Sequence, residues 1–244
     1  MTQVTFDERV AGELLRYARM VVSRGYIHNS LGNIAVRVPH PGFPHGVAYT
    51  KHAEVSLEEM SIDNVVVTDI PTPALLHGAV PTSVGHNLNR EILRLRSDVN
   101  AVIHVHHDET IAFFAAGESK ELRVLSLEFP YVMAMPPHVV PAHLDVENDV
   151  GPIAEFIAHT NSIMMEHHGV TTLGRTLSEA YHRLNTLTSE VRRNILAERL
   201  AALRGSEVHV LAPDAVDWMY RYAESVIYPS RDATRRPEGG DRLA

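Results

Sequence analysis

The chain has 244 residues, no cysteine, 16 histidines and a formal net charge of −8 at pH 7. The lack of cysteine excludes disulfides and thiol chemistry, and the negative charge argues against a nucleic-acid partner. No apolar run approaches the ~18 residues that a membrane helix needs, and no basic stretch precedes an apolar one at the N-terminus. We therefore expect a cytoplasmic protein with no membrane partner, in which any metal ligands are histidines and carboxylates.

The N-terminal part of the sequence predicts one amphipathic helix followed by two strands. Residues 5–8 have the pattern of a capping box, apolar residues follow at helical spacing, and Gly25 fits the position that ends a helix. Apolar residues alternate from Ile34 onwards, which predicts a strand. A proline- and glycine-rich turn over residues 39–46 leads to a second strand at residues 47–50.

Residues 51–95 predict a mixture of short elements. In order, we expect a polar loop at 51–54, a short helix opened by a capping-box pattern at 56–59, a buried strand at 64–69, and a loop at 71–77. A helix follows, with Thr82 or Ser83 as its N-cap. The residues expected on its buried face are Leu88, Ile92, Leu93 and Leu95.

Residues 101–107, Ala-Val-Ile-His-Val-His-His, predict a short buried strand. Residues two apart on a strand face the same side, so His104 and His106 project together. Two imidazoles on one strand face can chelate a divalent metal, and an open site needs a third protein ligand. His168, at the end of a second apolar strand, is the best candidate. The alternative is two polar residues at a strand edge, but two histidine clusters far apart in sequence favour the metal site.

The second half of the chain predicts more helix than strand. We expect a helix at 111–116 capped by Asp108 and closed by Gly117, weaker strands at 122–127 and 139–140, and a proline-broken loop at 129–137. Further on, we expect a short helix from Asn148 to Ala158, a strand at 163–166, a long helix from the capping box at 176–179 to Leu203, with Gly205 as its stop, and a last helix from Pro213 to Ser225. Alternating helices and strands predict one α/β domain over residues 1–228, and residues 229–244 have the composition of a flexible tail.

Four segments, in this order, resemble the class II aldolase/adducin superfamily: residues 32–37, residues 81–83, residues 101–106, and residues 168–181 with the sequence HG-x4-GRTLSEAY. The resemblance covers roughly residues 7–200. It implies a single three-layer α/β/α domain with a mixed central β-sheet, and a homotetramer with active sites at subunit interfaces. It also implies one divalent ion per subunit, zinc, manganese or cobalt, held by His104, His106 and His168.

The resemblance further implies a small anionic substrate whose anionic end contacts Asn33, Thr82 and Ser83. Two departures from the family pattern bear on the chemistry. Aldolases of the family have Ser-Ser-Glu where this chain has Thr-Ser-Val-Gly at 82–85, so no carboxylate stands at Val84 or Gly85. The phosphate-binding turn is replaced by Thr-Lys-His-Ala-Glu at 50–54, where Lys51 offers a charge that would suit a carboxylate equally well.

These departures favour decarboxylation over aldol cleavage. Both reactions need a metal to accept electrons when a carbon–carbon bond breaks, but only aldol cleavage needs a base for a hydroxyl proton. We therefore predict a decarboxylase of an ortho-hydroxy aromatic dicarboxylate, such as 3,4-dihydroxyphthalate or a hydroxypyridine dicarboxylate. The alternative is an aldolase or epimerase acting on a sugar phosphate or short hydroxy-oxo acid. A non-enzymatic module, as in adducin, is opposed by the presence of all three histidines.

The proton donor has several candidates. His86 is close in sequence to the missing glutamate, His52 and Glu54 lie on the altered loop, and Glu166 shares a strand face with His168. Each of these residues has a structural alternative, because loop histidines are usually solvated and Glu166 could simply orient a ligand. Tyr131 lies where family members bring a tyrosine across the interface, and its alternative is packing within the subunit.

Overall fold

A computed structural model describes residues 4–27, 29–116 and 121–229 of the chain. Its strands are β1 (Asn33–His40), β2 (Phe43–Lys51), β3 (Val65–Asp69), β4 (Leu75–His77), β5 (Ala101–Val105), β6 (His138–Val140), β7 (Ser162–Met165) and β8 (Gly169–Gly174). Its helices are α1 (Glu8–Ser23), α2 (His86–Leu95), α3 (Asp108–Ala115), α4 (Glu128–Met133), α5 (Ala154–Ile157), α6 (Leu177–Arg204) and α7 (Pro213–Tyr222), and a π-helical stretch over Ala223–Ile227 continues α7.

The eight strands form one mixed sheet in the order β4-β3-β2-β1-β5-β8-β7-β6. Neighbouring strands are antiparallel except β6 and β7, which are parallel. The histidine strand β5 therefore lies in the middle, between β1 and β8. Its register places His104 opposite Asn33 of β1 on one side and opposite Thr171 of β8 on the other.

Helices cover both faces of the sheet. One core contains the buried faces of α1, α3, α4 and α6, packed on strand residues such as Ile103 and Val105. The second core contains α2 and α5, packed on the opposite face through residues such as Val102 and Leu173. Alternate residues of β5 thus enter different cores, as the two-residue period of a strand requires. The three-layer α/β/α fold with a mixed sheet, predicted from the sequence, is confirmed.

The ends of the two longest helices follow from local chemistry. Thr176 caps α6 by accepting a hydrogen bond from the Glu179 N–H, and Gly205 ends the helix with φ +62°, as predicted. The start of α1 differs from the predicted capping box at residues 5–8. Its N-cap is Asp7, whose carboxylate accepts from the Arg9 N–H at 2.9 Å.

Three short elements differ from the prediction because tertiary contacts override weak local patterns. Residues 128–133 form α4 rather than a loop, and Pro130 is tolerated because it lies in the first turn, where its missing N–H is not needed. Ser56 and Glu59 make the reciprocal contacts of a capping box, but only turns follow. Strand β4 lies where a loop was predicted, and its side chains remain mostly exposed at the sheet edge.

Several boundaries also move. Helix α2 begins at His86, after an N-cap at Gly85, rather than at Thr82 or Ser83, and Leu95 is 39% exposed rather than buried. The predicted turn at 39–46 shrinks to two residues between β1 and β2. No strand forms at 122–127, while β8 was not predicted. Gly117 and residues 230–244 of the predicted tail lie outside the described residues.

Candidate metal centre

Three histidines converge at the end of the central strand β5. His104 is in the strand, His106 follows it, and His168 is in the turn between β7 and β8. Their ring centroids are 4.6–5.1 Å apart, and one nitrogen of each ring lies within 4.8 Å of the others. The structure therefore brings together the three residues that the sequence selects as metal ligands.

Gly169 allows the two histidine segments to meet. A Cβ atom at this position would lie closer than 3.0 Å to the backbone oxygen of Val105, and the backbone has φ +156°. A side chain at residue 169 would push the turn away from the end of β5. The turn carries His168, so glycine at 169 sets the separation of His168 from His104 and His106.

The burial and orientation of the His104 ring suit a metal ligand. It is 1% exposed, and its Nδ1 lies 3.0 Å from Thr171 Oγ1, which fixes the ring orientation. Its Nε2 faces the site and has no hydrogen-bond partner among the described residues. A buried ring nitrogen without a partner is costly unless a ligand satisfies it.

The electrostatics of the cluster favour neutral imidazoles, the form that binds metals. Burial, with help from the charges of His106 and His168, lowers the pKa of His104 well below its ordinary value. Burial and the charge of His168 lower the pKa of His106 to about 4. Both rings are therefore unprotonated at neutral pH without a metal. The donor atoms and their protonation fit a divalent ion such as zinc, manganese or cobalt.

A carboxylate that was not predicted from the sequence lies beside the histidine cluster. Glu147, in the loop between β6 and α5, has Oε1 3.7 Å from His104 Nε2 and Oε2 3.8 Å from His168 Nε2. Each of its two carboxylate oxygens therefore lies beside a different ring. Burial raises the pKa of Glu147, partly offset by the charge of His168. No periodic pattern or motif identifies a loop residue 43 positions from His104, so sequence inspection could not find it.

Of the expected substrate-binding residues, Asn33 lies beside the Glu147 carboxylate, and Thr82 and Ser83 lie in the segment before Gly85. Asn33 is 2% exposed, pairs with His104 in the sheet, and accepts a hydrogen bond through Oδ1 from Asn89. Its Nδ2 and the Glu147 carboxylate both border Gly85. Thr82 and Ser83 are half-buried in the turn that leads to Gly85. Asn33 is therefore adjacent to the histidine strand, and Thr82 and Ser83 precede the glycine that Asn33 and Glu147 border.

The altered loop does not supply groups to the histidine cluster. Lys51 is 1% exposed, and its ammonium donates to the backbone oxygens of Ser30 and Val55, at 3.1 and 2.7 Å. Burial lowers its pKa, partly offset by Glu59. His52 accepts from the Glu54 N–H through Nδ1, and its Nε2 lies 3.1 Å from Asn64. These contacts engage the Lys51 ammonium and both His52 ring nitrogens within the subunit, and the Glu54 side chain is exposed. The roles expected of Lys51 in substrate binding and of His52 and Glu54 in proton transfer stay predictions.

Two other predicted proton donors are also engaged elsewhere. His86 is 1% exposed, with Nε2 2.9 Å from Thr68 Oγ1 in β3, and burial and the nearby Arg90 charge lower its pKa to about 3. Glu166 accepts a hydrogen bond from the Ala142 N–H at 3.2 Å, which ties β7 to the start of the Glu147 loop. Each of these two side chains therefore has a structural role in this subunit.

Tyr131, the predicted interface residue, lies in α4. Its ring makes an edge-to-face contact with Tyr222 of α7, at a centroid distance of 6.1 Å. This contact is the packing alternative considered for Tyr131 in the sequence. None of the described helices is long and apolar enough to cross a membrane.

Comparison with known proteins identifies the family of this chain. The family model described as class II aldolase and adducin N-terminal domain matches residues 12–193. An L-fuculose phosphate aldolase of Methanococcus maripaludis is 25% identical over 191 residues, which cover 77% of this chain and 97% of that protein.

Solved structures show a similar fold at low sequence identity. The YgbL protein of Klebsiella pneumoniae has a TM-score of 0.71 at 19% identity, and the match covers 88% of this chain and all of that one. Aldolase, epimerase and decarboxylase activities are all considered for YgbL. An L-fuculose 1-phosphate aldolase of Glaciozyma antarctica has a TM-score of 0.70 at 18% identity, over 90% of this chain and 85% of its own. At these identities the likeness concerns the fold alone.

Proposed function

The chain belongs to the class II aldolase and adducin family, and on that premise we propose that it is a divalent-metal-dependent aldolase. Its substrate would be a small anionic hydroxy-carbonyl compound, either a sugar phosphate or a short hydroxy-oxo acid. The observation that carries the proposal is the convergence of three histidines at one point, where the Nε2 of buried His104 has no hydrogen-bond partner among the described residues. The curated relative from Methanococcus, an L-fuculose phosphate aldolase, supports the sugar-phosphate class.

The site residues divide between binding the ion and binding the substrate. His104, His106 and His168 would hold one zinc, manganese or cobalt ion per subunit. A divalent ion, when bound, polarises a substrate carbonyl and stabilises the negative charge of an enolate. Asn33, with its amide nitrogen directed towards Gly85, would donate a hydrogen bond to the substrate's anionic end. Thr82 and Ser83 are the hydroxyl donors of the neighbouring turn.

A carboxylate in the site changes the balance between the two reactions considered from the sequence. Decarboxylation was preferred because no acid stands at Val84 or Gly85 to take a hydroxyl proton. The carboxylate of Glu147, 3.7 Å from His104, is available for that role. Aldol cleavage therefore needs no group that the chain lacks, and the relatives that it is similar to are named as L-fuculose phosphate aldolases.

Decarboxylation of an ortho-hydroxy aromatic dicarboxylate is the second candidate. Residues 51–54 contain no glycine, and the loop thus lacks the sequence of a phosphate-cradling turn. For the Klebsiella protein of similar fold, decarboxylase is one of the three activities considered, beside aldolase and epimerase. This candidate predicts a substrate with a carboxylate in place of the phosphate.

One assay separates the candidates. The purified protein is loaded with zinc, manganese or cobalt, and incubated with L-fuculose 1-phosphate, a short 4-hydroxy-2-oxo acid or 3,4-dihydroxyphthalate. We expect aldehyde from one of the first two substrates, and loss of that activity on treatment with a chelator, with recovery on adding metal back. Carbon dioxide from the dihydroxyphthalate without aldehyde from the others contradicts the aldolase proposal and supports the second candidate.

We also propose that the chain forms a homotetramer with active sites at subunit interfaces. Leu196, Leu200 and Leu203 form one exposed apolar stripe at helical spacing on the last turns of α6, and exposed Trp218 lies on α7. Soluble monomers rarely leave extended apolar surface exposed. Light scattering on the purified protein is expected to give four times the chain mass. A mass near 27.1 kDa, that of one chain, contradicts the assembly.

A further inference from the structure

We propose that Glu147 is the proton-transfer carboxylate of this site, and that residue 85 is glycine because the Glu147 carboxylate occupies the space next to it. The inference deepens the proposed function and rests on it for the reaction concerned. It assigns a catalytic residue to the loop between β6 and α5 and a reason to a glycine at the start of α2.

Glu147 is the carboxylate that the described structure directs at the histidines. One oxygen is 3.7 Å from His104 Nε2 and the other is 3.8 Å from His168 Nε2, so the group spans two of the three rings. Its side chain keeps 21% of its surface exposed, which leaves an edge that a substrate can reach. By contrast, Glu166 accepts from the Ala142 N–H, and Glu54 lies on an exposed part of the altered loop.

The backbone on either side holds the carboxylate in place. Val146 is 2% exposed and Val150 is 8% exposed, and both pack in the core beneath α2. Asp145 accepts hydrogen bonds from the backbone and side chain of Asn148, which closes the loop around Glu147. A loop fixed by two buried valines positions its one inward carboxylate without needing a regular element.

Gly85 is required for space rather than for backbone conformation. Its backbone has φ −58° and ψ −17°, the ordinary helical region that any residue adopts. A Cβ atom here would lie closer than 3.0 Å to both Glu147 Oε1 and Asn33 Nδ2. Residue 85 and the Glu147 carboxylate therefore compete for one volume. A side chain at 85 would require the Glu147 carboxylate and the Asn33 amide to move from their positions in this structure.

The reaction uses this carboxylate twice. In the cleavage direction, the substrate's hydroxyl proton passes to Glu147, and the oxygen's electron pair forms the carbonyl of the released aldehyde. The carbon–carbon bond breaks, and its electron pair passes into the carbonyl of the other fragment, which becomes an enolate. The proton then returns from Glu147 to the enolate carbon to give the second product. Atoms and electrons balance with no further reactant.

The test exchanges the carboxylate between the two positions. Glu147→Gln keeps the shape of the side chain and is expected to lower turnover by about 100-fold, as for loss of a general base. Its affinity for Zn²⁺ alone, measured by competition with a chromogenic chelator, is expected to fall by about tenfold, because a negative charge beside the ion is lost. Glu155→Gln makes the same chemical change on an exposed side chain nearby, and we expect wild-type values from it.

Moving the carboxylate from position 147 to position 85 is the more discriminating test. Gly85→Glu alone is expected to fall below wild-type turnover, because two carboxylates then compete for one volume. The double variant Gly85→Glu/Glu147→Ala is expected to exceed Glu147→Ala alone by at least about tenfold in both turnover and Zn²⁺ affinity, because the carboxylate returns to the same space from the other side.

The outcomes separate this inference from the proposed function. Turnover and Zn²⁺ affinity of Glu147→Gln within about threefold of wild type overturn the role of Glu147, whatever the substrate. A double variant no better than Glu147→Ala overturns the equivalence of the two positions. If the wild-type protein cleaves none of the aldol substrates, the proposed function fails, while an unchanged Zn²⁺ affinity in Glu147→Gln still rejects the placement of Glu147 and a tenfold loss still supports it.

Discussion

Replacing His104 by alanine is expected to abolish tight metal binding and to lower turnover by at least about 1,000-fold, since a bound divalent ion would supply several kcal/mol of stabilisation to the negative charge that develops in the transition state. Among the three histidines of the cluster, His104 is the most buried, at 1% exposed, and its Nδ1 lies 3.0 Å from Thr171 Oγ1. Loss of a group that only orients a ligand already costs roughly 10–100-fold in affinity, so loss of the ligand itself should cost more. Zn²⁺ competition and the aldehyde assay measure both effects.

His159→Ala is the matched control, because this histidine is exposed in the turn after α5. It should bind Zn²⁺ and turn over substrate as the wild type does. A thermal unfolding curve on both variants shows whether the buried site tolerates the smaller side chain. Tight Zn²⁺ binding retained by folded His104→Ala would contradict the three-histidine site.

The largest expected loss of stability comes from Glu190→Ala. The Glu190 side chain is fully buried in α6, and its oxygens accept from the N–H groups of Leu125 and Ser126, the Ser126 hydroxyl and the Arg193 guanidinium. Removing it leaves these donors without their acceptor, which is expected to lower the free energy of unfolding by about 3 kcal/mol. The midpoint of thermal unfolding should then fall by roughly 6–12 °C for a chain of this size.

Glu198→Ala tests whether burial is the cause. Glu198 lies two turns further along α6 and pairs with Arg123, but its side chain is 47% exposed. Exposed ion pairs contribute about 0–1 kcal/mol, so its midpoint should shift by no more than a few degrees. Equal shifts for the two variants would contradict the role given to the buried carboxylate. Circular dichroism melts of both proteins provide the comparison.

Glu190 also explains one wrong prediction. Residues 122–127 contain alternating apolar residues, which suggested a strand, yet no strand forms there. The N–H groups of Leu125 and Ser126 bond to Glu190 instead of to a neighbouring strand. A side chain 65 positions away thus supplies the acceptor that a neighbouring strand would otherwise provide. No local sequence pattern predicts this long-range hydrogen bond.

The sequence by itself determined the elements whose cause is local or periodic. Thr176 and Gly205 define the ends of α6 through capping. The two-residue period predicted over residues 101–107 put His104 and His106 on one side, and the two rings lie together although β5 ends at Val105. Those patterns, with the family resemblance, were enough for the fold class and for the histidine cluster. Each depends on contacts within a few residues or on a repeat that can be read along the chain.

Only the tertiary structure decided which groups share the site with the histidines. Lys51 and His86 looked suited to it, but the Lys51 ammonium donates to two backbone oxygens and the His86 Nε2 lies against Thr68 of β3. Glu147 carries no sequence signal and enters the site because its loop packs beside Gly85 at the start of α2. A side chain's place in a pocket depends on the packing of segments far apart in sequence, and periodicity, capping and motif spacing do not record that packing.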